Sequence, residues 1–139
     1  MSTAEELNAL SGRVIGAAIE VHKVLGPGLL ESAYEACLCR ELESIGIGVE
    51  RQSPLSVEYK GLLVECAYRL DLVVDKRLIV ELKCVEVLLP IHMAQTMTYL
   101  RLTALQLGLL MNFNVPVLKT GIKRVVNNFP ASANSASLR

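Results

Sequence analysis

The sequence predicts one α/β domain whose elements follow the order ααββββαββ. Apolar residues recur with helical spacing as far as Ile45, and apolar and polar residues alternate from Ile47 onward. A further helical stretch after Pro90 then precedes a fully apolar strand. The chain has 139 residues and 52% of them are hydrophobic, which suits one domain with a modest core.

Two helices are predicted before the first strand. Thr3 and Glu6 have the spacing of a capping box, which begins the first helix. Its apolar stripe consists of Leu7, Leu10, Val14, Ala17, Ala18, Val21 and Leu25. A Gly-Pro-Gly turn at 26–28 ends it, and the second helix is expected from about Leu30 until Gly46, a suitable C′ residue.

Four strands are expected next. The first runs from Ile47 to Tyr59 with an interruption near Pro54, and a Lys-Gly turn leads to a short return strand, Leu62 to Cys66. The next two lie in RLDLVVDKRLIVELK, residues 69–83, on either side of a charged turn.

The last part of the chain completes the predicted sheet. Pro90 suits the first turn of a helix, which is expected to bury Ile91, Ala94, Thr98 and Leu102. Strands follow at Leu107–Phe113 and Ile122–Asn127. We assign residues 1–129 to the domain and expect 130–139, which are small and polar, to form a disordered tail.

The hairpin in residues 69–83 has a predicted register. If Asp75-Lys76-Arg77 is the turn, Val74 faces Leu78 and Asp71 lies directly across from Glu81. Lys83 shares their face, because side chains alternate along a strand. The opposite face is an aliphatic layer formed by Leu70, Leu72, Val74, Leu78, Val80 and Leu82.

Facing carboxylates repel each other and need a proton, a lysine or a cation. Lys83 supplies part of this compensation, and a divalent cation that prefers oxygen ligands, Mg²⁺ or Mn²⁺, supplies more. The alternative is an ordinary solvated face of an amphipathic hairpin. Val73 and Ile79 lie on the same face and argue against full exposure.

Composition limits the classes of partner. Lys+Arg and Asp+Glu balance at 14 each, so the chain lacks the basic surplus of a non-specific nucleic-acid binder. The four cysteines form no CxxC pair, which is typical of reduced thiols in a cytoplasmic protein. The polar N-terminus is unlike a signal peptide, and no apolar run is long enough for a membrane span.

Two motifs resemble known nuclease signatures. Asp71, followed after nine residues by Glu81-Leu82-Lys83, resembles the D-x(n)-ExK signature of the PD-(D/E)XK nuclease superfamily, with Leu70 where the superfamily name has proline. The segment from Gly28 to Tyr34, GLLESAY, resembles the motif of the GxxExxY family. The segments VHKVLGPGLLESAYE, HMAQTMTYLRLT and GLLMNFNVPVLKTGIKRVVN are also similar to that family, so the resemblance extends from about Leu10 to Asn128.

The resemblance implies a restriction-endonuclease-like core, a mixed β-sheet flanked by helices, with an additional N-terminal helix. It implies that Asp71 and Glu81 are carboxylate ligands of Mg²⁺ and that the backbone carbonyl of Leu82 is a further ligand. Glu31 is expected to reach the same site directly or through water, although by itself its place near a helix N-terminus is explained by the helix dipole.

Two further residues receive roles from the resemblance. Lys83 is expected to orient or activate the attacking water and to offset negative charge in the transition state. Gln95, on the helix after the ExK strand, matches a polar position that borders such sites; an ordinary surface position is the alternative.

These observations lead to two functional hypotheses. The first is a Mg²⁺-dependent nuclease that hydrolyses phosphodiester bonds in DNA or RNA, as a homodimer because duplex cutting often uses two sites. The second is a protein that keeps the nuclease fold without cleaving and acts in assembly or binding. Neutral charge, high apolar content and the lack of an evident DNA-reading element favour the second.

Overall fold

The computed structural model describes residues 2–131. The helices are α1 (Ala4–Leu25), α2 (Glu31–Ser44) and α3 (Pro90–Thr103), with a short 3₁₀ helix at Leu118–Gly121. The strands are β1 (Val49–Tyr59), β2 (Leu62–Val74), β3 (Leu78–Lys83), β4 (Leu107–Asn112) and β5 (Ile122–Val126). Residues 132–139 of the predicted tail lie outside the described residues.

The five strands form one mixed sheet in the order β1-β2-β3-β4-β5. Only the β3–β4 pair is parallel, and α3 makes the connection between these two strands. This mixed sheet with flanking helices and an additional N-terminal helix confirms the expected restriction-endonuclease-like α/β fold.

Two apolar cores lie on opposite faces of the sheet. The larger core joins α1 and α2 to one face of β2, β3 and β4, and includes Leu38, Leu72 and Leu82. The smaller core lies beneath α3 and includes Ile79 and Leu100. The middle strand β3 is therefore covered on both faces, which explains its almost continuous burial.

The chain between β1 and β3 is one long strand, where the sequence predicted two. Leu62–Cys66 and the first half of the charged hairpin are both part of β2. The β1–β2 register shifts between Leu55 and Val57, opposite Cys66, which has a left-handed backbone with a φ of 50°. A bulge of this kind adds residues to one strand without ending it, and so mimics a strand break in the sequence pattern.

The predicted buried face of α3 is wrong. Ile91 and Leu102 are exposed by 56% and 45%, and Thr96 and Leu100 point into the protein instead. Thr96 is polar, but its hydroxyl donates to the His92 carbonyl within the helix, so its burial leaves no unpaired donor. A Cβ at Gly108 of β4 would lie 3.0 Å from the Thr96 methyl group, so the helix approaches the sheet closely at this glycine.

Several local predictions are confirmed. Thr3 and Glu6 form the capping box of α1, and the predicted apolar stripe is buried from Leu7 to Val21. Gly46 follows α2 with a φ of 79°, and Pro90 is the first residue of α3. No helix within residues 2–131 has both the length and the apolar character that a membrane span requires.

Candidate metal centre

Asp71 lies where β2 and β3 stop pairing through their main chains. The ladder joins Leu72 to Val80, Val73 to Ile79 and Val74 to Leu78, which confirms the predicted register. One step beyond it, Asp71 Oδ2 accepts a hydrogen bond from the backbone N–H of Leu82 at 2.9 Å. The carboxylate thus replaces a main-chain acceptor and is fixed against β3.

The strand β2 changes faces at Asp71. Leu70 packs in the core beneath α3, whereas Leu72 packs in the core beneath α1 and α2. Residues two apart in a regular strand share a face, so the backbone is irregular between them. The predicted aliphatic layer is therefore wrong at Leu70, which lies on the other side of the sheet.

Glu81 is a buried carboxyl group without a well-formed hydrogen bond. Its exposed fraction is 1%, and within the described part of the chain neither side-chain oxygen meets the geometry of a hydrogen bond, although the carboxyl and backbone N–H of Asp71 are close enough to affect its pKa. Burial raises the pKa of Glu81 to about 9; the adjacent Asp71 carboxyl adds to the shift and the Lys83 charge opposes it. Since buried polar groups are nearly always paired, this carboxyl requires a proton or a cation.

The end of β3 directs a backbone carbonyl toward Asp71. The N–H of Phe113 donates to the Lys83 carbonyl at 2.9 Å, so that carbonyl faces β4. Carbonyls of successive strand residues point in opposite directions, and the Leu82 carbonyl is therefore directed to the β2 side. The half-buried Lys83 side chain acts on Glu81 through its charge.

The segment GLLESAY acts as a clamp that holds Glu31 against the end of β3. Gly28 has a φ of 100°, which favours glycine. The buried Tyr34 hydroxyl donates to the Gly26 carbonyl at 2.6 Å and accepts from the Leu29 N–H at 3.1 Å. Glu31 then accepts from the Cys84 N–H through Oε2 at 3.1 Å, so the structure brings it to the strand that carries Glu81.

Two residues next to this site were missed by the sequence reasoning. Glu35 is buried on α2, and its Oε1 accepts a hydrogen bond from Gln52 Nε2 at 2.8 Å. The same nitrogen lies 3.5 Å from Asp71 Oδ1. Glu35 is four residues after Glu31 and so lies on the same face of α2. This spacing is visible in the sequence and could have indicated Glu35, whereas nothing in the sequence indicates Gln52.

A comparison with protein families places the chain in a known group. The model of the PD-(D/E)XK nuclease superfamily matches residues 8–125. The chain belongs to the PD-(D/E)XK nuclease superfamily. No curated protein and no solved structure is similar enough to the chain to count as a match.

The acidic pair fits the divalent cations that PD-(D/E)XK nucleases generally use. Glu81 offers two unpaired oxygens, Asp71 lies beside it, and the Leu82 carbonyl is directed to the same side. Within residues 2–131, no three His, Cys, Asp or Glu side chains form a ready metal cluster. Two carboxylates still suffice for Mg²⁺, which usually keeps several waters and also binds substrate phosphate.

Gln95, the remaining residue singled out by the superfamily resemblance, lies on the exposed side of α3. No hydrogen bond joins it to the acidic pair among the residues that the structure describes. Tyr68 and Tyr99 are the aromatic neighbours of the pair, with ring centroids 4.5 Å apart. Burial raises the pKa of both hydroxyls, and the negative charge of Glu81 adds to each shift.

Proposed function

We propose that the protein is a metal-dependent nuclease that hydrolyses phosphodiester bonds in DNA or RNA. The observation that carries the proposal is the buried Glu81 carboxyl, which has no well-formed hydrogen bond to either oxygen and lies beside the Asp71 carboxyl. A buried carboxylate is strongly unfavourable without a counter-charge. Superfamily membership supports a nucleic-acid substrate.

The proposed ligands of the cation are oxygen atoms of β2 and β3. Asp71 and Glu81 supply carboxylates, the Leu82 backbone supplies a carbonyl, and Glu31 contributes directly or through water. Mg²⁺, with Mn²⁺ as a substitute, suits this set of hard ligands. A bound divalent cation polarises a phosphoryl oxygen and lowers the pKa of bound water.

Lys83 and Gln95 complete the proposed site. The Lys83 ammonium group orients the attacking water and offsets negative charge that develops on the phosphoryl oxygens. Gln95 borders the substrate side of the site from α3.

Cleavage by the wild-type protein and by Asp71→Ala tests the proposal. The assay uses a mixed panel of single-stranded and duplex DNA and RNA with Mg²⁺ or Mn²⁺. We expect metal-dependent cleavage that chelator abolishes and that Asp71→Ala reduces at least about a hundredfold, the effect of losing an electrostatic catalytic group.

The matched control is Asp75→Asn, which removes an exposed negative charge from the turn of the same hairpin and accepts its left-handed backbone. We expect it to cleave like the wild type. Equal cleavage by the wild type and Asp71→Ala would show that the activity does not come from this site.

A second candidate function is a nuclease fold that binds without cleaving. The neutral net charge and the absence of a ready three-ligand cluster within residues 2–131 favour it. Calorimetry with Mn²⁺ separates the two functions. Heat of binding that depends on Asp71 supports the nuclease, and no binding at millimolar metal supports the non-cleaving protein.

Three narrower assignments accompany the main proposal. The GLLESAY clamp supports placement in the GxxExxY family within the superfamily. Exposed apolar side chains, among them Leu62 and Leu63, support a homodimer. The free state of Cys37, Cys39, Cys66 and Cys84 supports a reducing, cytoplasmic location.

A further inference from the structure

We infer that Gln52 and Glu35 form a positioning pair that sets the orientation of the Asp71 carboxylate. The positioning role rests on the proposed function, because Asp71 is a proposed metal ligand. The contacts of Gln52 with Glu35 and Asp71 are present without any metal. Gln52 Nε2 is 2.8 Å from Glu35 Oε1 and 3.5 Å from Asp71 Oδ1, the latter at the outer limit of a hydrogen bond. An amide nitrogen carries two protons, so it can donate one to each carboxylate.

Glu35 is the fixed end of the pair. Its exposed fraction is 7%, and the Arg51 guanidinium lies 3.8 Å from Oε2 while Gln52 donates to Oε1. Buried polar groups are nearly always paired, and these two contacts hold the Glu35 side chain in place. The rigid helix α2 therefore holds the acceptor that fixes the Gln52 amide.

The backbone of β1 is distorted at Gln52. Its φ is 51°, a left-handed conformation that residues other than glycine rarely adopt within a strand. The β1–β2 ladder pairs Arg51 with Leu72 and Ser53 with Leu70, so the irregular step lies at Gln52 and Asp71. Backbone strain of this kind is concentrated at functional sites.

The distortion also changes which face of β1 is buried. Val49 packs against the core beneath α1 and α2, whereas Leu55 lies in the core beneath α3. The strand β2 makes the same change at Asp71. The Gln52 amide thereby lies between Glu35 of α2 on one face of the sheet and the Asp71 carboxylate, which contacts β3.

The result is that Asp71 has a donor on each oxygen. The Leu82 N–H holds Oδ2 and the Gln52 amide faces Oδ1, so rotation of the carboxylate is restricted from both sides. Each oxygen keeps a further lone pair for a cation. Hydrogen bonds behind a metal ligand fix its orientation and its basicity, and Gln52 has this positioning role rather than a catalytic one.

Two substitutions that accept a left-handed backbone test the inference without straining β1. Gln52→Asn keeps the amide but shortens the side chain by one methylene, and Gln52→Gly removes it. The control is Ser53→Ala, the next residue of the same strand. Two readouts are used: Mn²⁺ affinity by calorimetry, and hydrogen exchange of the Leu82 amide in metal-free protein.

Both Gln52 variants are expected to bind Mn²⁺ about 10- to 100-fold more weakly than the wild type. Their Leu82 amide is expected to exchange about fivefold faster, because its acceptor is no longer held in place. Ser53→Ala is expected to match the wild type in both measurements. The Leu109 amide of β4 is an internal reference that should not change.

Substitutions at Glu35 separate positioning from a general loss of structure. Glu35→Gln keeps an acceptor oxygen for the Gln52 amide and is expected to retain most of the Mn²⁺ affinity. Glu35→Ala removes the anchor and is expected to weaken binding as Gln52→Gly does. The double variant with Glu35→Ala and Gln52→Gly should bind Mn²⁺ no more weakly than either single variant, since both substitutions remove the same restraint on Asp71.

Wild-type Mn²⁺ affinity together with wild-type Leu82 exchange in both Gln52 variants would overturn the inference. If the wild-type protein itself binds no Mn²⁺, the proposed function fails and the exchange measurement alone decides. Faster Leu82 exchange in Gln52→Gly then supports the positioning pair, and unchanged exchange refutes it.

Discussion

Glu81 shows at the scale of one residue how the site departs from ordinary packing. Glu81 lies in a middle strand, loses its hydration on burial, and has the acidic Asp71 beside it. Removing a carboxylate from water costs several kcal/mol even after relaxation of the surroundings. The same lack of partners leaves both oxygens free for a cation, so the unfavourable burial and the proposed function have one cause.

The raised pKa of Glu81 makes the stability of the metal-free protein depend on pH. The folded carboxyl keeps its proton up to a pKa of about 9, whereas the unfolded one loses it near 4.5, so folding takes up a proton between these values. The free energy of unfolding should therefore fall as the pH rises through this range, by at most about 1.4 kcal/mol per pH unit. Urea unfolding in chelator at about pH 6 and about pH 8 measures the slope.

Glu81→Gln is the reference for that slope because it keeps the shape of the side chain and cannot ionise. Its stability should change less between the two pH values than that of the wild type. Identical slopes in the two proteins would contradict a buried, proton-binding Glu81.

At the scale of the elements, the loop before α2 and the hairpin β2–β3 bring residues that are 50 apart in sequence, Glu31 and Glu81, to one end of β3. The loop is held by the Tyr34 ring, which stacks on Phe113 at 4.5 Å, and by its hydroxyl. In this motif Gly28 and Tyr34 therefore hold the loop, and Glu31 is the residue assigned to the proposed metal site.

Removal of one hydroxyl tests this division. Tyr34→Phe leaves the Gly26 carbonyl and the Leu29 N–H without their partner, which should lower the free energy of unfolding by about 1–3 kcal/mol. Tyr59→Phe, at a ring with an exposed fraction of 60%, should change it by less than about 0.5 kcal/mol. Urea unfolding compares them, and equal effects would show that the Tyr34 hydroxyl does not hold the loop.

Local patterns predicted the elements better than their packing. The Thr3 capping box, the Gly46 C′ residue and the β2–β3 register depend on neighbouring residues and are confirmed. The buried face of α3 was wrong because Ile91 suggested a stripe that the close approach at Gly108 overrides. A pattern within one segment of the sequence does not show how that segment packs against distant segments.

The candidate site divides in the same way. Asp71, Glu81 and Lys83 have the spacing of one hairpin and were proposed as site residues from the sequence, and Glu31 was proposed from a motif; these roles stay predictions. The contact between Glu35 and Gln52 depends on the left-handed backbone of Gln52 within β1. Glutamine does not favour this conformation, so the sequence did not indicate it. Resemblance to a family suggests candidate ligands more readily than the residues that contact them.

At the scale of the whole molecule, apolar side chains remain exposed at the tip of the β1–β2 hairpin. Tyr59, Leu62 and Leu63 have exposed fractions of 60%, 62% and 56%. Tyr59 and Leu62 are paired across the turn, and exposed apolar surface at such a tip is typical of an interface. A second copy of the chain is the occupant that agrees with the proposed homodimer.

Sedimentation equilibrium tests the association. The wild type should have about twice the monomer mass of 15.2 kDa, and Leu63→Lys should shift it toward the monomer because a charge enters an apolar contact. Val117→Lys, a substitution at another exposed apolar residue, is the control and should remain dimeric. A monomeric wild type at assay concentrations would contradict the homodimer.

The most direct test of the account is a crystal structure of the protein soaked in Mn²⁺, with anomalous diffraction used to locate the ion. We expect an anomalous peak within ligand distance of Asp71 and Glu81 that disappears in Asp71→Ala. A saturating soak that leaves no peak there, with the two carboxyl groups instead sharing a proton or covered by Lys83, would contradict it.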